Sequence, residues 1–371
     1  MNRRLFLIFF LVLFLSGSAI AQEKNCEQIL IEADDEFKAG RFYGIPSMLK
    51  PCLDGGFSNE QKVRAYLILA QAYLILDDPI GADDSYLKLL RADPEYVANP
   101  ARDQIDVYYL SKKFTATPIF TPHLRAGLNA SRPWMIQRIT TSGTPVDKKE
   151  ILKAGFQFGL GFDWNLNNNW SIGTEGNFSY KSFSRETKGY SKNDIQQMKE
   201  THTGFDIPLY VKYSVDSGKI RPFGYAGFAI GFLTSASVSL QFDNITDNPE
   251  VGIQQASGAS ESIRFKRNFL NYSFVLGGGA KYKIGRDFVY ADLRYMAGLS
   301  NFTKSDKNYY NENGAFDPYI TTYQYVSDFF RLDNLSLSVG YIHPIYNPRK
   351  KTKAKLNKLF KKKAVTEKDE S

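Results

Sequence analysis

Hydrophobic and polar positions alternate along this chain with a period of two, most cleanly in Phe205-Asp206-Ile207-Pro208-Leu209-Tyr210-Val211-Lys212-Tyr213. Phe205, Ile207, Leu209, Val211 and Tyr213 fall on one face; Asp206, Pro208, Tyr210 and Lys212 fall on the other. Successive strand residues point to opposite sides of a sheet, so this segment has an apolar face and a polar one. A strand with lipid outside and a polar lumen inside needs that division. The same texture predicts eight strands, at roughly 120–130, 152–166, 170–183, 201–214, 221–238, 268–284, 287–302 and 327–346. Their connections alternate in kind. Asn167-Asn168-Asn169, Asp216 to Lys219 and Gly285-Arg286 read as tight turns, whereas Ser131 to Glu150, Ser184 to Glu200, Gln241 to Arg267 and Thr303 to Val326 are long and polar. Short turns at one end and long loops at the other are the habit of outer-membrane barrels, and an even strand count returns both ends to one side.

Before residue 115 the period is helical. Tyr66, Leu69, Ala70, Tyr73, Ala82, Tyr86 and Pro94 fall at the spacings of the tetratricopeptide pattern, with Leu89 as the one departure, where a small residue is usual. An earlier, weaker copy runs from Leu30 through Ala33, Phe37 and Gly40-Arg41-Phe42. A generic helical hairpin is the alternative reading. Two repeats and a following helix, Ala101 to Lys113, are few for independent stability, and Cys26 and Cys52 are placed to compensate. Antiparallel packing of the first two helices brings them together, and an oxidising compartment makes a disulfide the expected outcome. With one pair of thiols, a zinc site has no support.

The N-terminus supplies that compartment. Asn2-Arg3-Arg4 is basic, Leu5 to Leu15 is apolar, and Ala19-Ile20-Ala21 has the small-x-small form of a secretory cleavage site, so cleavage is expected between Ala21 and Gln22. The apolar run is too short for a membrane anchor, and Glu23-Lys24-Asn25 before Cys26 is unlike a lipid-attachment site. The net charge of +8 would suggest nucleic acid, but Arg349 to Ser371 carries +7 and Arg3 with Arg4 carries +2, leaving about −1 between them. The basicity belongs to a tail, expected to be solvated. Leu356, Leu359 and Phe360 among its lysines offer the sharper reading of a segment lying on anionic headgroups.

The predicted architecture is therefore α + β and multidomain. It comprises a signal peptide (1–21), a periplasmic α-helical tetratricopeptide-like domain (22–115), an eight-stranded antiparallel transmembrane β-barrel (116–347) and a basic periplasmic tail (348–371). Aromatics near the short turns, namely Trp164, Trp170, Tyr213, Phe223, Tyr282, Phe288, Tyr290 and Tyr341, read as a girdle at the membrane–water interface. The opposite parity places Arg125, Asp163, Glu175, Lys181, Asp206, Lys212, Lys281, Lys283, Asp292 and Arg294 in the lumen. Eight strands leave just enough interior for side chains to fill it, so these charges are expected to pair and plug the lumen. Strand five, Gly224 to Leu233, is rich in Gly and Ala, and its facing stays unassigned.

Three segments carry a family resemblance: Ile207 to Tyr213, Pro222-Phe223-Gly224-Tyr225-Ala226-Gly227, and the closing Asn334 to Tyr341. Residues from about 116 to 346 resemble the PorT-type outer-membrane β-barrel family, some members of which are associated with type IX protein secretion. The chain departs from a barrel that ends on its last strand, because residues continue past Tyr346.

Chemistry is sparse. The three histidines are His123, His202 and His343. His202 and Asp206 share a face of strand four, with Ser182 and Ser184 at the matching end of strand three, so a Ser–His–Asp set is conceivable, though nothing in the sequence brings the three within reach. Asp243, Asn244, Asp247 and Asn248 are calcium-type ligands without a specific spacing. No phosphate loop, dinucleotide fingerprint or metal-spaced His/Cys set is present. The expectation is a non-enzymatic protein without cofactor, embedded in outer-membrane lipid, binding a periplasmic or envelope protein through its helical module and not binding nucleic acid. The exposed face from Gln61 to Asp77 is the expected contact. Adhesion through the long loops is the alternative, a diffusion channel the third reading, and oligomeric state is left open.

Overall fold

The computed structural model describes residues 20–101, 103–139, 147–188, 195–245, 253–258, 260–323 and 325–351. The expected signal peptide up to Ala19 and the tail beyond Lys351 lie outside the described residues, as do Asp247 and Asn248. Two compact units result. One contains the residues up to Pro118 together with those from Tyr346 onward; the other runs Ile119–Ile345.

The first unit is helical: α1 (Ile20–Lys38), α2 (Ile45–Asp54), α3 (Asn59–Ile75), α4 (Pro79–Ala92) and α5 (Ile105–Ser111). Local chemistry sets the ends of α3. Ser58 and Gln61 form a reciprocal capping box that satisfies two backbone donors at its start. At its end Asp77 takes a left-handed φ of 56°. The Asp78 and Asp77 amides then close back on the Tyr73 and Leu74 carbonyls, a Schellman turn with Asp in the usual glycine place. Asp78 at once caps α4, with Pro79 at its first turn.

Helix α3 packs into two clusters. Ala65, Leu69 and Ala72 join Leu30, Ile45 and Leu49 on one side; Ala70 joins Ala82, Tyr86, Leu89, Val107 and Leu110 on the other. Burial pushes the Tyr86 phenol up to about 12. Because α3 is packed on both sides, little of it faces solvent. Gln61 is buried and donates to Glu27, and Arg64, Ile75 and Asp77 are the exposed positions between Gln61 and Asp77, so the broad contact face expected there is absent.

Cys26 and Cys52 are joined in a disulfide. Replacing both by serine should lower the stability of the helical unit by about 3 kcal/mol, the loop-entropy value for a ring of this size, checked by thermal melting of the helical far-UV signal under oxidising and reducing conditions. Arg349 and Lys350, expected in a solvated tail, instead form a strand, β13, paired with β1 (Phe114–Thr115). Lys350 also bonds Asp83 at 2.5 Å, so the start of the tail is part of the first unit.

The second unit is a closed ring. Its main strands are β2 (Phe120–Gln137), β4 (Ala154–Asn165), β5 (Trp170–Lys188), β6 (Ile195–Ser214), β7 (Ile220–Ile245), β10 (Leu270–Ile284), β11 (Asp287–Gly298) and β12 (Phe329–Ile342). Each pairs antiparallel with its neighbours, β12 with β2 and β7 with β10 completing the circle. The expected count of eight is borne out. Several strands run further than the hydrophobic pattern indicates. The β5–β6 ladder continues to Lys188 opposite Ile195, and short strands β3 (Asp147–Leu152), β8 (Ile253–Ser257) and β9 (Glu261–Ser262) extend the wall at the same end. Backbone pairing does not need an apolar face to continue, so strands outlast the alternation that reveals them.

The segment of unassigned facing, Gly224 to Leu233, turns its odd residues inward throughout, and β7 carries a bulge just beyond it. Thr203 pairs with Ser235 and Gly204 with Leu233, leaving Thr234 as a bulge. Below the bulge odd residues are buried (Phe223, Tyr225, Ala229, Leu233), and above it even ones are (Ala236, Val238, Leu240, Phe242). A single bulge reverses the parity in mid-strand.

The outer surface carries Leu124, Leu128, Leu160, Leu209, Leu276, Leu293 and Leu337, all exposed. On β6 the apolar face spans Phe205 to Tyr213, nine residues, which matches the roughly 9–11 a tilted spanning strand needs. Five of the expected girdle aromatics face outward: Trp164, Trp170, Tyr213, Tyr282 and Tyr341. Phe223, Phe288 and Tyr290 do not. They are buried inside the barrel, since Val289, Ala291 and Leu293 take the outward parity of β11 and Ile220, Pro222 and Gly224 that of β7. Cations cover two of them: Lys212 lies 4.6 Å from the Phe223 ring, and Arg221 and Lys281 lie 4.9 and 5.1 Å from Phe288.

Candidate functional site

The lumen is the most heavily constructed part of the barrel. Glu175, on β5, is its hub. Arg294 from β11 grips it with two parallel bonds of 2.8 Å, and Arg125 from β2 donates to it at 3.1 Å. Asn177 and Tyr210 donate at 2.8 and 2.9 Å, and His123 lies 3.4 Å away. Arg125 reaches on to Asp292 at 3.3 Å and to Ser338 at 2.7 Å, while the Tyr225 hydroxyl donates to Asp292 and accepts from Arg294 at 2.8 Å. Charges buried this deeply persist only when paired and hydrogen-bonded, and here each carboxylate has several donors.

Toward the short turns Lys212 pairs with Asp163 at 2.8 Å, and toward the long loops Lys181 pairs with Asp206 at 2.8 Å. Lys281 and Lys283 take the inward parity of β10. Three tyrosines are accommodated by the glycine directly across the ladder: Tyr210 by Gly173, Tyr225 by Gly277, Tyr290 by Gly340. A Cβ at any of these glycines would come within 2.4 Å of the facing ring, so the rings lie flat across the wall and narrow the lumen.

At the long-loop end the lumen is roofed. Phe183, Met198, Leu233, Val238, Leu240 and Ile263 pack with Phe302, Tyr325, Phe330 and Leu332. The segment from Thr303 to Val326, expected as an open polar loop, contains a short helix, α6 (Pro318–Thr322), and supplies Tyr325 and Val326 to the buried interior.

Buried ion pairs fasten this roof. Asp328 accepts from Lys148 at 2.9 Å, from Arg185 at 2.7 Å and from the Ile139 amide at 2.6 Å. Lys266 donates to Asp317. Arg267 donates to Glu200 at 2.6 Å and to Ser327 at 3.1 Å. Burial alone would depress the Arg267 pKa, but the Glu200 carboxylate outweighs it and holds the guanidinium above its usual value.

The sequence reading missed these residues. Arg185 and Glu200 were within reach, because each continues the inward parity of its strand. Asp328 likewise continues the inward parity of its predicted strand, whereas Arg267, Asp317 and Lys148 come from connections that carry no periodicity, and no local signal marks them.

The Ser–His–Asp set does not assemble. His202 bonds Glu200 at 2.7 Å, Asp206 is taken by Lys181 and by Ser179 at 2.8 Å, and the Ser182 hydroxyl donates to the Glu200 carbonyl at 3.3 Å. His343 is exposed beside Asp287 at 2.7 Å. Asp243 and Asn244 lie near the end of β7, where Gln241 reaches Asp243 at 3.3 Å.

A closed ring of eight antiparallel strands, apolar outside and packed with paired charges inside, defines a transmembrane β-barrel protein. Residues 122–304 match the family model described as outer membrane protein beta-barrel domain, which places the barrel in the outer membrane. No curated protein matches the chain. Three solved structures illustrate its similarities. Neisserial surface protein A is 12% identical, with a TM-score of 0.28, covering 61% of this chain and 97% of that one. The outer membrane protein OprG from Pseudomonas aeruginosa is 12% identical, with a TM-score of 0.34, covering 64% and 99%. The attachment invasion locus protein Ail of Yersinia pestis, in complex with the heparin analogue sucrose octasulfate, is 12% identical, with a TM-score of 0.25, covering 60% and 98%. At these scores the likenesses carry no argument about what the protein does.

Proposed function

We propose that the barrel is a sealed, non-enzymatic anchor and that the helical unit is its working part, a tetratricopeptide-like module that holds a periplasmic or envelope protein. The observation that carries the anchor reading is the lumen: the Glu175 network and the apolar roof each fill it, at two separate levels. Support for the module comes from the packing of α3 against the helices before it on one side and after it on the other, the stacking that helical repeats use. The helical unit and the tail are assigned to the periplasm, and the resemblance to PorT-type barrels points to secretion or envelope assembly as the setting.

A second reading is favoured by one feature of the long loops. Tyr309, Tyr310 and Phe316 are exposed on a loop that Asp317 and Asn308 fasten to the interior, which suits surface adhesion.

Two measurements test this. The purified protein in planar bilayers should show no reproducible conductance steps; large, regular steps would sink the sealed-anchor reading. Photo-crosslinking residues at Tyr43, Ile75 and Ile80, with Tyr310 as the loop counterpart, should capture one identified envelope protein from the helical positions in intact cells. Capture from Tyr310 alone would transfer the function to the loops.

A further inference from the structure

We propose that the lipid-facing wall of the barrel, at the long-loop end of β12, β2 and β4, binds the phosphate of a membrane-lipid headgroup. These strands adjoin in the ring. Three cations gather there: Arg132 on β2, Arg331 on β12, and Lys153 between β3 and β4. Arg331 pairs directly with Trp134 and Arg132 with Asp333, all on the outward face. The two arginines are therefore diagonal neighbours, roughly 7–8 Å apart on the ladder, a gap that one phosphate fills with hydrogen bonds to both. Both guanidiniums act electrostatically on the Tyr295 phenol, which sets them around one point of the wall. Lys153 immediately precedes Ala154, the partner of Ala130, and so extends the patch toward β4.

The patch lies at the depth of headgroups. On β2 the exposed apolar residues Phe120, Leu124 and Leu128 give way to Ala130 and then Arg132. On β12 Tyr341, Val339, Leu337 and Leu335 give way to Asp333 and then Arg331. Trp134, half-exposed beside them, is the ring expected at a membrane–water interface. Elsewhere in the ring the step after the apolar belt is uncharged: Thr203 on β6, Thr234 and Ser235 on β7, Leu299 after β11. The cations are thus confined to one side of the barrel, which a general preference for basic residues at this depth does not explain. Long loops mark the outer end of such barrels, so the phosphate belongs to a lipid of the outer leaflet.

Charge selects the ligand class. Among the described residues Arg132, Arg331 and Lys153 form no ion pair and no side-chain hydrogen bond. Asp333 stands between the arginines in the ladder, but its oxygens accept from the Tyr295 hydroxyl at 2.6 Å and the Gly298 amide at 2.9 Å. Three cations against one committed carboxylate leave positive charge in excess. Arg331 is held in place by stacking, its guanidinium carbon 5.5 Å from the centre of the Trp134 ring. A stacked guanidinium keeps the donors at its edge free, the geometry that suits a phosphate.

The test uses the full chain folded into phosphatidylcholine vesicles, with Trp164→Phe and Trp170→Phe leaving Trp134 as the reporter. Heat-modifiable electrophoretic mobility verifies that every sample is folded. Phosphatidic acid with brominated chains, a phosphate head on a quenching tail, is compared with brominated phosphatidylcholine. The acid should quench Trp134 at about five- to tenfold lower mole fraction, the equivalent of one charge-assisted hydrogen bond. Trp164 and Trp170, read in a Trp134→Phe variant, should not distinguish the two lipids. Arg132→Gln with Arg331→Gln should abolish the preference, and Lys199→Gln, which removes an exposed cation of β6, should leave it unchanged. If the double variant does not fold, Arg132→Gln alone serves and should lower the preference about threefold. Equal quenching of Trp134 by both lipids, the same preference at Trp164 and Trp170, or a preference that survives in the folded arginine variant overturns the proposal. Loss of the preference in millimolar inorganic phosphate overturns the lipid assignment in favour of a free anion.

Discussion

Replacing Glu175 by alanine should destabilise the barrel by about 3–5 kcal/mol, the range for removing one partner of a buried, hydrogen-bonded ion pair. Arg294 makes both of its short carboxylate bonds to Glu175 and Arg125 one of its two ion pairs, so the substitution strands positive charge where side chains are 3% exposed or less. Urea unfolding of the protein refolded into lipid vesicles gives the number. The double variant Glu175→Leu with Arg294→Leu should recover part of the loss, because an apolar pair of similar bulk is tolerated where a lone charge is not. A Glu175→Ala effect below about 1 kcal/mol would show that the network is solvated, and would remove the argument for a sealed lumen.

Leu209→Arg should cost about 2–4 kcal/mol if Leu209 lies near the bilayer midplane. Its side chain is 60% exposed in the protein alone, and in water an exposed leucine would tolerate arginine with an effect within about ±0.5 kcal/mol. The contrast therefore reads lipid directly. Thr203, on the same face of β6 but beyond the apolar stretch that begins at Phe205, is the control, and Thr203→Arg should cost only about 0–1 kcal/mol. Equal losses at the two positions would mean that the apolar belt does not mark the membrane core.

Much of the barrel was legible because strand parity is a local property. Phe205 to Tyr213 declares its two faces by itself, and the tight turns at Asn167 and Gly285 declare themselves through residues that favour turns. Where a local pattern is weak, the reading went wrong in understandable ways. Aromatic and near a turn, Phe288 and Tyr290 read locally as outward, although their neighbours Val289 and Ala291 hold the outward parity. The polar segment from Thr303 to Val326 reads locally as solvent-facing, yet its Asp317 and the adjoining Asp328 are buried against Lys266, Lys148 and Arg185. The candidate site divides in the same way. Arg185 and Glu200 follow strand parity, whereas Arg267 becomes part of the site only through the fold.

The number of barrel strands, the alternation of turns and loops, and a face for most strands are written locally, because each depends on residues within a few positions of one another. Which charges meet, what roofs the lumen and which way the Gly/Ala-rich part of β7 faces depend on contacts distant in the chain. Glu175 and Arg294 are 119 residues apart, and Arg125 and Asp292 are 167 apart. Their meeting is set by the register of the closed ring. Beyond Leu233 the parity of β7 is reversed by the bulge at Thr234, one extra residue set against β6.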